Sequence, residues 1–246
     1  MIICKYRIDM DAKKRIWKIN LCISFKNCLI FPRNWSKRHG GSFLCIWKWN
    51  ANMEYTSQKE KNNRMEPGSP LPVKLISGVL YSDRTLCELA FEHLENKYGA
   101  IDYKSKIWDF SLTDYYNPEM GTPIYRQFIS FYELVDPVRL PRIKIDCNEI
   151  EDQLRVENLR KVNLDPGYMD YDKFILASAK YNAQKVYLDL GIYADVTLYY
   201  SGGRFTPSPF CFPDFKSNRY EEAFLHIRAK YKGRLRKMIK RAQDSS

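Results

Sequence analysis

Asn163-Leu164-Asp165-Pro166-Gly167-Tyr168, running on through residues 169–180, is the run around which the 246-residue chain is ordered. Pro166 presets φ for the second position of a reverse turn, and Gly167 tolerates the positive φ that the third position of a type II turn requires. Asp165 is placed to accept hydrogen bonds from the turn amides, and Asp170 to cap a following helix over 171–180. The spacing predicts a strand ending at Leu164, a turn, then a short helix. Asn163, Asp165 and Tyr168 would project near one end of a sheet, where open α/β sheets hold their ligands.

Upstream of this turn the pattern alternates between strands and helices. Residues 73–81 read as a buried strand, with Leu75, Ile76, Val79 and Leu80 around Gly78. Ser82 or Asp83 caps a helix to about residue 98, its stripe Leu86, Leu89, Ala90, Leu94 and Tyr98 closed by Gly99. Residues 107–116 alternate, Trp108, Phe110 and Leu112 on one face, and 125–133 supply the next strand. Asp136-Pro137 starts a helix buried along Leu140, Ile143, Cys147, Ile150 and Leu154. With a strand at 161–164, the order is β-α-β-β-α-β, the ferredoxin-like arrangement.

Downstream, the short helix is followed by a hairpin in which Ile192, Ala194, Val196, Leu198 and Tyr200 alternate with polar residues before a tight Ser201-Gly202-Gly203-Arg204 turn. Asn218-x-x-Glu221 opens a C-terminal helix with the stripe Tyr220, Phe224, Ile227, Tyr231, Leu235 and Met238. The expected class is α+β: a ferredoxin-like core extended by a short helix, a β-hairpin and a C-terminal helix.

Charge divides the chain. Residues 1–66 hold 14 Lys/Arg and 5 Asp/Glu, 67–227 hold 18 and 23, and 228–246 hold 8 and 1, for +9, −5 and +7. The net +11 therefore sits at the two ends, around an acidic body, which weakens a general nucleic-acid reading. Residues 1–66, with four of the five Trp and four of the seven Cys, differ in character from the remainder of the chain. They read as an irregular basic extension: upstream sequence translated from a misassigned start, with Met53 or Met65 as initiator, or a genuine segment that contacts nucleic acid or membrane. Residues 67–246 read as a single domain.

The seven Cys show no C-x-x-C pair and no zinc spacing, as expected of free thiols in a reducing cytoplasm. No apolar run approaches the ~18 residues needed to span a bilayer, so no membrane partner is expected. With only His39, His93 and His226, no Ser-His-Asp or Cys-His arrangement is credible, and no G-x-x-x-x-G-K-[ST] phosphate loop occurs.

Several segments together resemble the domain-of-unknown-function family 4416: Pro72-Val73-Lys74-Leu75 with Leu80-Tyr81-Ser82-Asp83, Thr113-Asp114-Tyr115-Tyr116 with Glu119-Met120-Gly121, and Asn163–Tyr168. Leu176-Ala177-Ser178-Ala179-Lys180, Gly191-Ile192-Tyr193-Ala194-Asp195-Val196-Thr197-Leu198 and Pro213-Asp214 complete the resemblance, over roughly residues 72–235. The family pattern has Glu where this chain carries Asp195. The resemblance implies no established activity.

The polar residues Asp114, Tyr115, Glu119, Asn163, Asp165, Tyr168, Lys180, Tyr193, Asp195 and Thr197 form the candidate ligand site. If Asp165, Asp195 and Asp114 or Glu119 converge, they offer the hard oxygen ligands that Mg²⁺ takes, or a general base beside Lys180. Either would suit a nucleotide or another small phosphorylated ligand. The alternative is an RNA-binding module that stacks bases on sheet aromatics and uses the basic C-terminal helix for phosphates.

Overall fold

The computed structural model describes the backbone of two strands near the N-terminus and, in full, residues 67–244. The chain divides into two compact units, Met1–Asn63 and Arg64–Ser246. In the first, β1 (Cys4–Asp11) pairs antiparallel with β2 (Ile16–Ile23). The start expected at Met53 or Met65 lies outside the described residues.

The second unit is a mixed helix and sheet structure of the α+β class. It begins with β3 (Val73–Tyr81), α1 (Arg84–Tyr98), β4 (Ile101–Lys104) and the two-residue β5 (Trp108–Asp109). The turn α2 (Asn117–Met120), β6 (Tyr125–Val135), α3 (Leu140–Gln153), β7 (Val162–Met169) and β8 (Lys173–Ser178) come next. The chain closes with β9 (Val186–Asp189), β10 (Ile192–Ser201), β11 (Arg204–Pro207), α4 (Pro213–Lys216) and α5 (Glu221–Asp244). One antiparallel sheet in the order β11-β10-β8-β7-β3-β6-β4, with β5 on β6 and β9 on β10, carries these helices.

Both faces of this sheet are covered, which explains why β3 is buried at every position. Val73, Leu75, Val79 and Tyr81 meet the stripe Cys87, Ala90, Phe91 and Leu94 of α1 and Ile143, Cys147 and Ile150 of α3. The Asp83 side chain accepts from Leu86 N at 3.0 Å and so starts α1 where a cap was expected. On the opposite face α4 and α5 lay Phe215, Phe224 and Ile227 over Ile76, Phe128, Phe174 and Leu198. Full burial of such side chains contributes roughly 1.5–3 kcal/mol each. The sheet aromatics Phe128 and Phe174 therefore lie under helices and offer no open stacking platform.

Three sequence expectations change. The second strand is chiefly β4, since only Trp108 and Asp109 of the alternating run 107–116 pair with β6. The turn expected at 165–168 is extended strand: β7 runs through Pro166 and Gly167, paired with β3 from Tyr81–Val162 to Lys74–Met169. The helix expected over 171–180 is β8. Asp170 does cap a reversal, but of a hairpin, its side chain accepting from Asp172 N and Lys173 N at 2.8 Å each. A short apolar run such as Phe174-Ile175-Leu176-Ala177 has the same signature in a buried strand and a buried helix turn. Gly167 is required for a different reason from φ. A Cβ there would stand 2.3 Å from the Ile175 carbonyl oxygen and 2.9 Å from the Phe174 ring.

Candidate functional site

The sheet forks beside Gly167. The ladder between β7 and β8 comprises Gly167–Leu176, Tyr168–Ile175 and Met169–Phe174 and then stops. Pro166, next in line, has no N–H with which to extend a ladder. Beyond that point β7 stays with β3, while β8 stays with β10 out to Ser178–Tyr193. A cavity of about 480 Å³ is lined by residues from both branches, with α4 and the 110–116 loop completing its walls. Its size suits a small-molecule ligand.

The β7 branch presents guanidinium groups. Arg126 of β6 is 4% exposed. Its Nη1 stands 3.5 Å from Asp165 Oδ2 and its Nη2 3.3 Å from Asp214 Oδ2, with the Phe110 ring centroid 5.0 Å from its Cζ. A charge so buried is retained only when paired. Gly78 makes the room, for a Cβ there would lie 2.9 Å from Arg126 Nη1. Asp214 also accepts from the Tyr220 hydroxyl at 3.1 Å.

Arg160 joins three acceptors. It donates from Nη1 to Glu151 Oε2 at 2.8 Å and to Asn163 Oδ1 at 2.7 Å, and from Nη2 to Glu119 Oε2 at 2.8 Å. Glu151 in turn accepts from Leu164 N at 2.7 Å, while Lys144 donates to Leu164 O at 2.7 Å. Burial pushes the Glu151 carboxyl above the usual range, against the pull of Lys144 and Arg160.

On the β8/β10 branch, Asp195 Oδ2 stands 3.3 Å from Lys185 Nζ, which also donates to Ser178 Oγ at 2.9 Å. Lys180 donates to the Tyr115 hydroxyl at 2.6 Å in an exposed contact. Five cations (Arg126, Lys144, Arg160, Lys180, Lys185) and three carboxylates (Asp165, Asp195, Asp214) line the cavity, a balance of +2. Glu119 and Glu151, outside the lining, formally offset this excess through Arg160 and Lys144.

Four buried atoms on these residues have no hydrogen-bond partner: Arg126 Nε, Arg160 Nε, Asn163 Nδ2 and Asp195 Oδ1. An unsatisfied buried polar group costs about 1–3 kcal/mol, so their concentration around one cavity calls for an explanation.

Of the residues expected from sequence, Tyr115, Asn163, Asp165, Lys180 and Asp195 line the cavity. Glu119 reaches it only through Arg160. Asp114 is an exposed partner of Asn117 Nδ2 at 2.8 Å. Tyr168 packs against the α3 side of the sheet, Tyr193 against Tyr181 and Tyr187, and Thr197 is buried, donating to Asp195 O at 3.1 Å. The expected carboxylate set for Mg²⁺ does not form: Asp165 and Asp195 each face a cation, and the described residues hold no group of three His, Cys, Asp or Glu side chains able to bind a metal. Lys180, beside which a general base was expected, bonds the Tyr115 hydroxyl.

Sequence reasoning missed Arg126, Arg160, Lys144, Lys185 and Asp214 as site residues. Arg126 left a trace, because it alternates in phase with the buried Phe128. Arg160 and Lys185 lie in irregular segments where no period exists to betray them. Among the described residues the thiols do not line the cavity: Cys87, Cys147 and Cys211 are buried, and burial pushes the Cys87 thiol up to about 12.

The model of the family described as Domain of unknown function (DUF4416) matches residues 71–231. The chain belongs to this family. No curated protein and no solved structure matches the chain. The DUF4416 match runs from the residues before β3 to Tyr231 of α5 and includes every residue lining the cavity. No helix among the described residues is long and apolar enough to cross a membrane.

Proposed function

We propose that this DUF4416 domain binds a small phosphorylated molecule, a nucleotide among the candidates, in the cavity where β7 and β8 part. The observation that carries this reading is the set of three donor nitrogens, Arg126 Nε, Arg160 Nε and Asn163 Nδ2, buried on cavity-lining residues without an acceptor. Phosphoryl oxygens are the acceptors that guanidinium groups pair with best. Mg²⁺ enters only as a counter-ion brought by the phosphate.

The same reading takes β3, α1, β4, β6, α3 and β7 as a ferredoxin-like core. Its support is the all-antiparallel order β7-β3-β6-β4 with both helices on one face. It also assigns the protein to the cytoplasm, in keeping with the three buried free thiols. RNA as an alternative ligand keeps only the basic end of α5 in its favour.

Thermal melts of the full chain with inorganic phosphate, ribose 5-phosphate, nucleoside phosphates and a short single-stranded RNA, each with and without Mg²⁺, test the reading. A ligand present at 100 times its Kd adds about 2.7 kcal/mol, which raises the Tm by several degrees. Unchanged melts with every phosphorylated small molecule would overturn it. A shift produced by RNA alone that vanishes steeply with salt would favour the alternative.

A further inference from the structure

We infer that the β10 side of the cavity is a subsite for a planar nitrogen heterocycle, with Asp195 Oδ1 accepting a ring or exocyclic N–H. Asp195 is 4% exposed and lines the cavity, yet only one of its oxygens is engaged: Oδ2 faces Lys185, and Oδ1 has no donor. A buried carboxylate oxygen asks for an N–H or O–H that the protein does not supply.

The surrounding surface selects between these donors. Five aromatic side chains, Phe110, Tyr115, Tyr116, Phe212 and Phe215, contribute to the lining. Phe212 is 52% exposed and makes no ring contact among the described residues. A flat heterocycle stacks on such a surface and presents its N–H groups in its own plane. A hydroxyl-rich sugar would bury several polar groups against aromatic and aliphatic walls for a single free acceptor. Residues with an unpaired donor nitrogen (Arg126, Arg160, Asn163) thus line one side of the cavity and the residue with an unpaired acceptor oxygen (Asp195) lines the β10 side, the layout of a ligand with a phosphate at one end and an N–H-bearing ring at the other. Nucleoside monophosphates are the simplest compounds with that layout. The inference rests on the phosphorylated-ligand reading and adds the identity of the ligand's other half.

Isothermal titration of the full chain tests it with the four nucleoside 5′-monophosphates, ribose 5-phosphate, and the tightest nucleotide with its base N–H groups methylated. A hydrogen bond to a charged group corresponds to about ten- to hundredfold in Kd. The best nucleotide is therefore expected to bind at least about tenfold tighter than both ribose 5-phosphate and its own methylated analogue. Asp195→Asn, checked for folding by its melt, is expected to shrink that preference. Equal binding of ribose 5-phosphate and the nucleotides, or of the nucleotide and its methylated analogue, overturns the heterocycle subsite while leaving a phosphate site standing. Failure of every phosphorylated probe to bind overturns both. The comparison among ligands on the wild-type chain decides the matter even if the variant does not fold.

Discussion

Arg126 of β6 and Asp214 of α4 form an ion pair, Nη2 to Oδ2 at 3.3 Å, in which both side chains are almost completely buried. It ties the short helix that closes the cavity to the strand that forms its floor. Breaking such a pair by removing one partner typically costs about 3–5 kcal/mol, because the other charge stays buried alone.

Arg126→Met is therefore expected to lower stability by about 3 kcal/mol or more and to abolish ligand binding. Arg126→Met/Asp214→Leu is expected to regain most of the stability and none of the binding. Urea unfolding and titration of both variants separate the two effects, and recovery of binding in the double variant would contradict the role given to Arg126.

Gly167→Ala tests the strand reading of the Pro-Gly segment directly. The added Cβ meets the Ile175 carbonyl at 2.3 Å, a backbone atom that cannot swing aside. Overpacking of this kind costs about 1–3 kcal/mol, and the upper end is expected here. Gly191→Ala, with nothing within 4 Å but φ at +76°, meets only backbone strain, and about 1 kcal/mol is expected. Denaturant midpoints of the two variants check the order.

Alkaline pH should weaken the fold. Burial raises the thiols of Cys87, Cys147 and Cys211, whereas an unfolded thiol ionises near pH ~8.5. The folded state keeps protons that the unfolded state releases. Stability is thus complete below about pH 8.5 and is lost as pH rises through the folded values, by up to ~1.4 kcal/mol per pH unit for each thiol. Lys74, lowered by burial, acts in the opposite sense near the top of that window. Urea midpoints measured from about pH 8 to about pH 10.5 should fall, and Cys87→Ala should flatten the slope.

Lys74 itself is wholly buried, donating to Asp102 Oδ2 at 2.6 Å and to Phe131 O. Asp102 is partly exposed and also accepts from Ser130 Oγ at 2.7 Å, so water and Ser130 soften the loss of its partner. Lys74→Met is expected to cost about 1–3 kcal/mol, below the range for a fully buried pair. Adding Asp102→Asn should recover part of it, as thermal melts of the single and double variants will report.

Much of the architecture was legible because it obeys periodicity. The stripe of α3, the Asp83 cap and the turn Gly202-Gly203 are local signals that the fold respects, whereas α1 buries Cys87 and Phe91 and exposes the expected Leu89, and the stripe of α5 stops at Leu235 with Met238 exposed. The Pro-Gly segment misled because its two residues have two uses. Either they bend a chain, or they allow another strand to approach closely and then part from it, and only the neighbouring strand decides which. Half of the candidate site was legible too. Asn163, Asp165 and Asp195 stand out as polar residues in segments that resemble the family, while Arg160 and Lys185 reach the cavity from segments without regular structure. Tyr168 shows the limit: one position from Gly167, it faces the other side of the sheet.

The parting of the sheet at Gly167 also sets an order of assembly. Arg126, Asn163 and Asp165 belong to the chain before the Asp170 reversal, and Lys180, Lys185, Asp195 and Asp214 to the chain after it. A polypeptide leaves the ribosome N-terminus first, so one wall is synthesised while the other does not yet exist. The proposed ligand site cannot be complete before the last third of the domain arrives, and a nascent chain arrested before that point would have only one of its walls.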